Sequence, residues 1–317
     1  MTEHPALVSL SKNLIQNNDR YAAHDAASPI VEQLCQDLDF IHEALRGVVS
    51  DPAFLQEADY LTFPLLTSGD VIIQLNLFAP IRDGGNRITQ DNVHHHGWRL
   101  LTTGLVSGEG YDSIDFKHRC HENRVGDKIH IEVEEMFRHV RGKIRFIESN
   151  KPHVVFHPNS LCSTLAVWSA DNVLASQGIK RQLEAFPGLR KWIVKGIHAA
   201  RLNKVLGLNQ LEGLYYHPEG GRFVETQNYS KPFDGDREEI LRCMFVFFQQ
   251  VGFDDADYWR KIATHAPHEA MPLIEKLITG EPIPDLGIWG NIRRRFSRTQ
   301  ILQALDHNVP ADVITPN

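Results

Sequence analysis

The spacing of apolar residues divides this 317-residue chain into three zones. Up to residue 61 and again after residue 172, apolar residues recur every three or four positions, which is typical of amphipathic helices. Between residues 62 and 172 they recur at every second position, which is typical of strands with one buried face. The pattern predicts an α+β chain with a helical region over 1–61, a β-region over 62–172 and a second helical region over 173–317.

The helical zones contain local signals for where individual elements begin and end. The first zone predicts a helix over 29–47, with Ser28 as its N-cap and Pro29 in its first turn. In the last zone, residues 215–236 are rich in glycine, proline and polar residues and predict a long loop. The remaining helices of the last zone are predicted over 189–206, 237–251, 254–264, 268–278 and 297–305.

The β-region consists of short segments that are separated by turn signals. The alternation is clear over 71–77, where Gln74 and Asn76 lie on the face opposite the apolar residues. Further strands are predicted over 128–134, 143–147, 153–156 and 163–168. Several short strands at this spacing predict a small barrel or sandwich.

Composition narrows the class of protein. A formal net charge of -7 argues against a dedicated nucleic-acid binder. The four cysteines are scattered and form no Cys-x-x-Cys pair, which indicates reduced thiols rather than a disulfide framework. No signal peptide or membrane-spanning apolar run is visible, so we expect a cytoplasmic protein with neither nucleic-acid nor membrane partners.

Three consecutive histidines, His94, His95 and His96, are the most informative residues of the chain. On a strand, His94 and His96 point to one face and His95 points to the other. Two imidazoles on one strand face can bind a single divalent metal ion. The alternative is a histidine-rich strand edge or loop without a metal.

This region resembles the first motif of the cupin superfamily, in which a His-x-His pair is followed by a glutamate and, after six further residues, a glycine. Here Gly108 stands at the glycine position, but Leu101 replaces the glutamate ligand. The second cupin motif has a proline before a third histidine and an asparagine four residues after it. Pro152 and His153 match that pattern, and His157 stands at the asparagine position.

The resemblance covers about a third of the chain. It implies a cupin-like double-stranded β-helix, flanked by helical regions, in which His94, His96 and His153 bind a metal. The missing glutamate makes the site similar to that of the three-histidine thiol dioxygenases, which use Fe(II). Their Ser-His-Tyr relay is not matched, because Thr164, Ala166 and Trp168 stand at its positions.

The resulting expectation is a mononuclear non-haem Fe(II) oxygenase that uses O₂ to oxidise a small metal-chelating substrate. Zn, Mn and Ni are alternative metals. A redox-neutral metal-dependent lyase or isomerase, and a non-catalytic ligand-binding or scaffold cupin, remain open. Because cupins often dimerise, a homodimer is a further expectation.

Strand phase and proximity to the motifs supply the remaining candidate residues. Tyr111 and His157 are the candidates for proton transfer, and His157 also competes with His153 as a metal ligand. Arg99 is a candidate partner for a substrate carboxylate. The full set of candidate substrate-binding residues is Arg99, Gln74, Asn76, Leu101 and Trp168.

Overall fold

The computed structural model of the protein describes residues 4–58, 61–82, 87–89, 93–96, 99–117, 124–125, 128–129, 133–171, 212–217, 222–226, 237–288 and 295–297. Its helices are α1 (Pro5–Gln16), α2 (Arg20–Gln36), α3 (Leu38–Val49), α4 (Pro52–Gln56), α5 (Arg237–Gln250), α6 (Ala256–Ala263) and α7 (Met271–Thr279), with a 3₁₀ turn at His268–Ala270. None of these described helices combines the length and the apolar character that crossing a bilayer requires.

The strands are β1 (Thr62–Ser68), β2 (Val71–Phe78), β3 (Arg87–Thr89), β4 (Val93–His95), β5 (Arg99–Ser107), β6 (Tyr111–Phe116), β7 (Arg124–Val125), β8 (Lys128–Ile129), β9 (Val133–His139), β10 (Ile144–Ile147), β11 (His153–Val155), β12 (Cys162–Ala170), β13 (Glu212–His217), β14 (Arg222–Thr226) and β15 (Arg295–Ser297).

Eight of these strands form two facing antiparallel layers. One layer has the order β2-β12-β5-β10 and the other the order β4-β11-β6-β9. The chain crosses back and forth between the layers: β2, β5, β10 and β12 lie in the first, and β4, β6, β9 and β11 lie in the second. This winding is that of a jelly roll. The predicted double-stranded β-helix is therefore confirmed by its strand order.

Further strands extend both layers at their edges. β1 lengthens the first sheet beside β2, and the β13–β14 hairpin lengthens the second sheet beside β4. β15 pairs with β3 in a separate two-stranded sheet.

The helices cover the outer face of the first sheet. Alternate residues of β2 are buried, and Val71, Ile73, Leu75 and Leu77 belong to the same apolar core as the inward faces of the helices. Because successive strand residues point to opposite faces, Gln74 and Asn76 point into the space between the two sheets. The alternation that predicted this strand also gave the correct division between its two faces.

A buried histidine fastens α2 to this outer face. The two ring nitrogens of His24 lie 2.8 Å from the hydroxyls of Thr102 on β5 and Ser169 on β12. The Ser169 hydroxyl donates to the carbonyl of Ala170, so it accepts from Nε2–H of His24, and Nδ1 accepts from Thr102. Burial, with the charge of Arg20 adding to it, lowers the pKa of His24 to about 4.

The helix predicted over 29–47 is wrong in its boundaries. α2 begins at Arg20, and Asp19 is its N-cap. Pro29 lies on the exposed side of this helix, where the carbonyl that loses its hydrogen bond can be solvated. The chain breaks instead at Asp37, which is the C-cap of α2 and the N-cap of α3.

The long loop predicted over 215–236 is also wrong in part. Its first half contributes to β13 and contains β14, which pair with each other as a hairpin. The last zone of the chain therefore supplies strands to the second sheet as well as helices to the core. The predicted helix over 189–206 lies outside the described residues, and of the one predicted over 297–305 only residue 297 is described, at the end of β15.

Candidate metal centre

The structure brings the three predicted metal ligands together. His94 lies on β4, His96 directly follows β4, and His153 begins β11 in register with His94. The ring centres are 5.0 Å apart for His94 and His96, 4.3 Å for His94 and His153, and 4.5 Å for His96 and His153. One ligand atom from each ring lies within 4.8 Å of the other two, and among the described residues this is the group that could hold a metal ion.

The nitrogen positions fit a single divalent ion. The Nε2 atoms of His94 and His96 are 3.2 Å apart. With metal–nitrogen bonds of about 2.1 Å, this separation corresponds to an angle of about 100° at the metal. Such an angle lies between the ideal values for octahedral and tetrahedral coordination. The two nitrogens are therefore spaced so that both could bind the same ion.

Backbone and burial prepare His153 and His96 as ligands. The Nδ1–H group of His153 donates to the carbonyl of Lys151 at 3.2 Å, which leaves the Nε2 lone pair directed away from the backbone. Burial, reinforced by the neighbouring histidines, holds the pKa of both His96 and His153 well below the usual value. Both rings are therefore neutral near pH 7, as metal binding requires.

An apolar wall stands beside the histidines. The ring of Trp168 meets the ring of His96 edge to face, with 4.6 Å between their centres. Leu101, Ile147 and Ala166 pack against Trp168 on the same interior face of the first sheet. Leu101, at the position of the usual glutamate, is 6% exposed and belongs to this wall.

Gln74 and Asn76 lie on the interior face further along β2. They are in register with Ala166 and Thr164, on the face that also carries Trp168. The amide nitrogen of Gln74 donates to the side-chain oxygen of Asn76 at 2.7 Å. These two amides therefore form a polar strip in the interior.

Arg99 begins β5 and is in register with Ala170. Burial lowers its pKa, and the charge of Asp70 opposes that change. No described carboxylate lies within ion-pair distance of its guanidinium. Arg99 is thus a half-buried cation in the described part of the barrel, and its charge acts on His96.

Tyr111 and His157 are not brought into the histidine group. Tyr111 packs 4.6 Å from Phe78 and stacks at 5.0 Å on His139, and burial raises its pKa. It lies four residues, about 13 Å, along β6 from the position in register with His153. The Nδ1–H group of His157 donates a hydrogen bond of 2.8 Å to the carbonyl of Ala79. Burial lowers the pKa of His157 to about 4.

His95 is buried and takes the opposite side of the strand from its neighbours. Its position on β4 is in register with Glu212 of β13. His130, His118 and His121 lie outside the described residues.

Sequence reasoning missed a charged network that crosses the interior. Arg145 on β10 of the first sheet forms ion pairs with Asp115 on β6 and Glu135 on β9 of the second. Its guanidinium carbon lies 4.5 Å from the ring centre of Phe137, and burial lowers its pKa to about 10. A single arginine within a predicted apolar strand was the available signal, but its partners depend on pairing between distant strands.

No protein-family model matches the chain, and no curated protein matches it. Among solved structures, a cupin protein from Bacteroides fragilis is 17% identical, with 33% of this chain and 70% of that chain covered and a TM-score of 0.23. A cupin of the RmlC-like family from Methanocaldococcus jannaschii is 12% identical, covering 35% and 81% of the two chains at a TM-score of 0.24.

The DMSP lyase DddQ from Ruegeria pomeroyi is 13% identical, with 36% of this chain covered and a TM-score of 0.25. The match spans 48% of the lyase, about half of its length. The strand order identifies the fold, and the histidine geometry identifies the candidate site. The described residues form a double-stranded β-helix that carries a group of three histidines able to hold a metal ion.

Proposed function

We propose that the protein is a mononuclear non-haem Fe(II)-dependent dioxygenase that oxidises a small metal-chelating substrate. The observation that carries this proposal is the convergence of His94, His96 and His153 without a carboxylate among them. Three neutral donors leave the full charge of a divalent ion available to an anionic substrate. When bound, Fe(II) would supply electron transfer to dioxygen in a site that also holds the substrate.

The chain's own residues would orient the substrate and exclude water. Trp168 and Leu101 present an apolar surface beside His96, which would keep bulk solvent from the reacting atoms. The half-buried Arg99 would hold an anionic group of the substrate through charge-assisted hydrogen bonds. Gln74 and Asn76 would provide amide contacts deeper in the interior.

The redox-neutral alternative, a lyase or isomerase that uses Zn, Mn or Ni as a Lewis acid, requires a proton acceptor near the metal. Tyr111 packs in a separate cluster, and His157 is not part of the histidine group. Glu109, a further acidic residue near the barrel, is exposed in a turn. The Asp115 carboxylate, in register with His153, is engaged by Arg145 in an ion pair and is therefore a poor proton acceptor. This arrangement favours the oxygenase proposal.

Metal analysis and oxygen uptake test the proposal together. We expect protein purified without oxygen and reconstituted with Fe(II) to hold about one iron per chain, as one three-histidine site allows. His96→Ala should weaken iron binding by about a hundredfold or more, because it removes a ligand. His268→Ala is the matched control, since His268 is an exposed histidine outside the site.

Oxygen consumption is then measured with thiols, phenols and amino acids. Substrate-dependent uptake that is lost in His96→Ala supports the dioxygenase. Stoichiometric iron without oxygen uptake in any of these classes would contradict the oxygenase proposal and favour the redox-neutral alternative. Failure to bind any divalent metal would contradict both and favour a scaffold.

A further inference from the structure

A buried carboxylate lies in the same row of side chains as the histidines. His94 on β4 is in register with His153 on β11, and His153 is in register with Asp115 on β6. Registered neighbours in antiparallel strands point to the same face, with Cβ atoms about 4.5–5.5 Å apart. The side chain of Asp115 therefore begins one strand away from a histidine of the site.

An arginine from the opposite sheet engages this carboxylate. Asp115 is only 5% exposed, and Arg145 forms its ion pair across the interior. Glu135 and the ring of Phe137 hold the same guanidinium from the neighbouring strand. A buried carboxylate needs such a partner, because an isolated buried charge is costly. Arg145 thus engages the Asp115 carboxylate, and Asp115 is not a member of the histidine group.

From this arrangement we infer that Asp115 is a withheld fourth metal ligand and that Arg145 is the residue that withholds it. The inference rests on the proposed function only in requiring that the three histidines bind a divalent ion. The cupin motif's glutamate is absent, because Leu101 fills that position in the apolar wall. Asp115 offers a carboxylate from a different strand, and divalent ions accept mixed imidazole and carboxylate donors.

The pairing determines how many positions on the ion stay open. With Asp115 bound to Arg145, a bound ion would have three protein donors and would retain room for a substrate that binds through two atoms. A fourth protein donor would fill one of those positions and lower the charge of the site by one unit. Arg145 is therefore a positioning residue. It keeps the protein donors to uncharged imidazoles and leaves positions open for a chelating substrate.

Titration with Co²⁺ tests this inference, because its visible spectrum reports the number and type of donors. We expect Arg145→Met to bind Co²⁺ about tenfold or more tightly than the original protein, since a freed carboxylate attracts the ion. The visible spectrum should change as an oxygen donor is added. In the double variant Arg145→Met with Asp115→Asn, both the affinity and the spectrum should return to those of the original protein.

Glu135→Gln is the matched control, because it removes the exposed carboxylate partner of Arg145 and keeps the Asp115 pair. We expect its Co²⁺ affinity and spectrum to match those of the original protein. Arg145→Lys, which retains a positive charge, provides a second variant if Arg145→Met does not fold. Its affinity should lie between those of the original protein and Arg145→Met.

Two results would overturn the inference. One is an equal Co²⁺ affinity and spectrum in the original protein and in every foldable Arg145 variant. The other is a changed spectrum in Asp115→Asn alone, because Asp115 would then already be a ligand. If the original protein and all variants bind no Co²⁺, both this inference and the proposed function are contradicted. If they all bind Co²⁺ equally well, only the inference about Arg145 and Asp115 is contradicted.

Discussion

At the scale of single residues, side chains inside the barrel form two separate clusters at different positions along its strands. Trp168 and Leu101 pack beside the histidines, whereas Tyr111 packs with Leu105 and Cys162. A tyrosine near a metal is an attractive proton donor, but here burial raises its pKa and its ring stacks on His139. Its surroundings indicate a packing role.

Substitution of Tyr111 separates packing from chemistry. We expect Tyr111→Phe to leave Co²⁺ affinity unchanged, because the ring contacts with Phe78 and His139 are kept. Tyr111→Ala should lower the free energy of unfolding by about 3–5 kcal/mol, as other large-to-small aromatic substitutions do. Chemical denaturation and metal titration measure the two effects. A loss of Co²⁺ affinity in Tyr111→Phe would show that the hydroxyl reaches the site.

At the scale of elements, one aspartate divides the N-terminal helical region into two helices. The backbone N–H of Asp37 donates to Gln33 at the end of α2, and its carboxylate accepts the N–H of Phe40 at 3.0 Å in the first turn of α3. The buried face of α2 runs from Ala23 through Val31 without interruption at Pro29. Burial of this face therefore sets the helix boundaries more strongly than the proline does.

Removal of the Asp37 cap should lower stability measurably. We expect Asp37→Ala to reduce the free energy of unfolding by about 0.5–2 kcal/mol, because a first-turn N–H loses its acceptor. Asp37→Asn should lose less, since its amide oxygen can still accept that bond. Asp39→Ala is the control, as Asp39 is exposed in the same turn and is not the cap. Equal losses in Asp37→Ala and Asp39→Ala would contradict the capping role.

At the scale of the whole molecule, buried neutral histidines connect the stability of the fold to pH. His24 joins α2 to both β5 and β12, and His139 and His157 are buried on the second sheet and at the end of β11. Burial lowers the pKa of each of these three rings to about 4. The folded protein therefore holds them uncharged at a pH where the unfolded chain would protonate them.

The sign of the pH dependence follows from that difference. Because the folded pKa of His24 lies below the unfolded value of 6.5, the unfolded chain binds more protons between those values. The stabilisation is present above about pH 6.5 and is lost as the pH falls towards 4. We expect His24 to account for about 2 kcal/mol of the loss in unfolding free energy between pH 7 and pH 5.

Denaturation of the original protein and of His24→Asn at both pH values measures this contribution. His24→Asn should be less stable at pH 7, because the hydrogen bonds to Thr102 and Ser169 are altered. Its stability should then fall less between pH 7 and pH 5. The same fall in both proteins would show that His24 is not the group responsible.

The sequence alone determined the helical period of the first zone, the strand period of the second and the choice of the three histidines that the structure groups. Alternation over β2 predicted which of its faces is buried, because a period of two is local information. The His-x-His spacing predicted that His94 and His96 would share a direction, and the second motif selected His153, which lies with them in one group. These features depend on residues that are close together in the chain or on a motif.

Only the tertiary structure decided which distant residues meet. The register between β4, β11 and β6 places Asp115 beside His153, and the facing of the two sheets brings Arg145 to Asp115. The pairing of β13 with β4 joined the β13–β14 hairpin to the second sheet, although composition had assigned residues 215–236 to a loop. Strand pairing depends on contacts between residues far apart in the chain. The periodicity within one segment therefore does not predict which strand it will pair with.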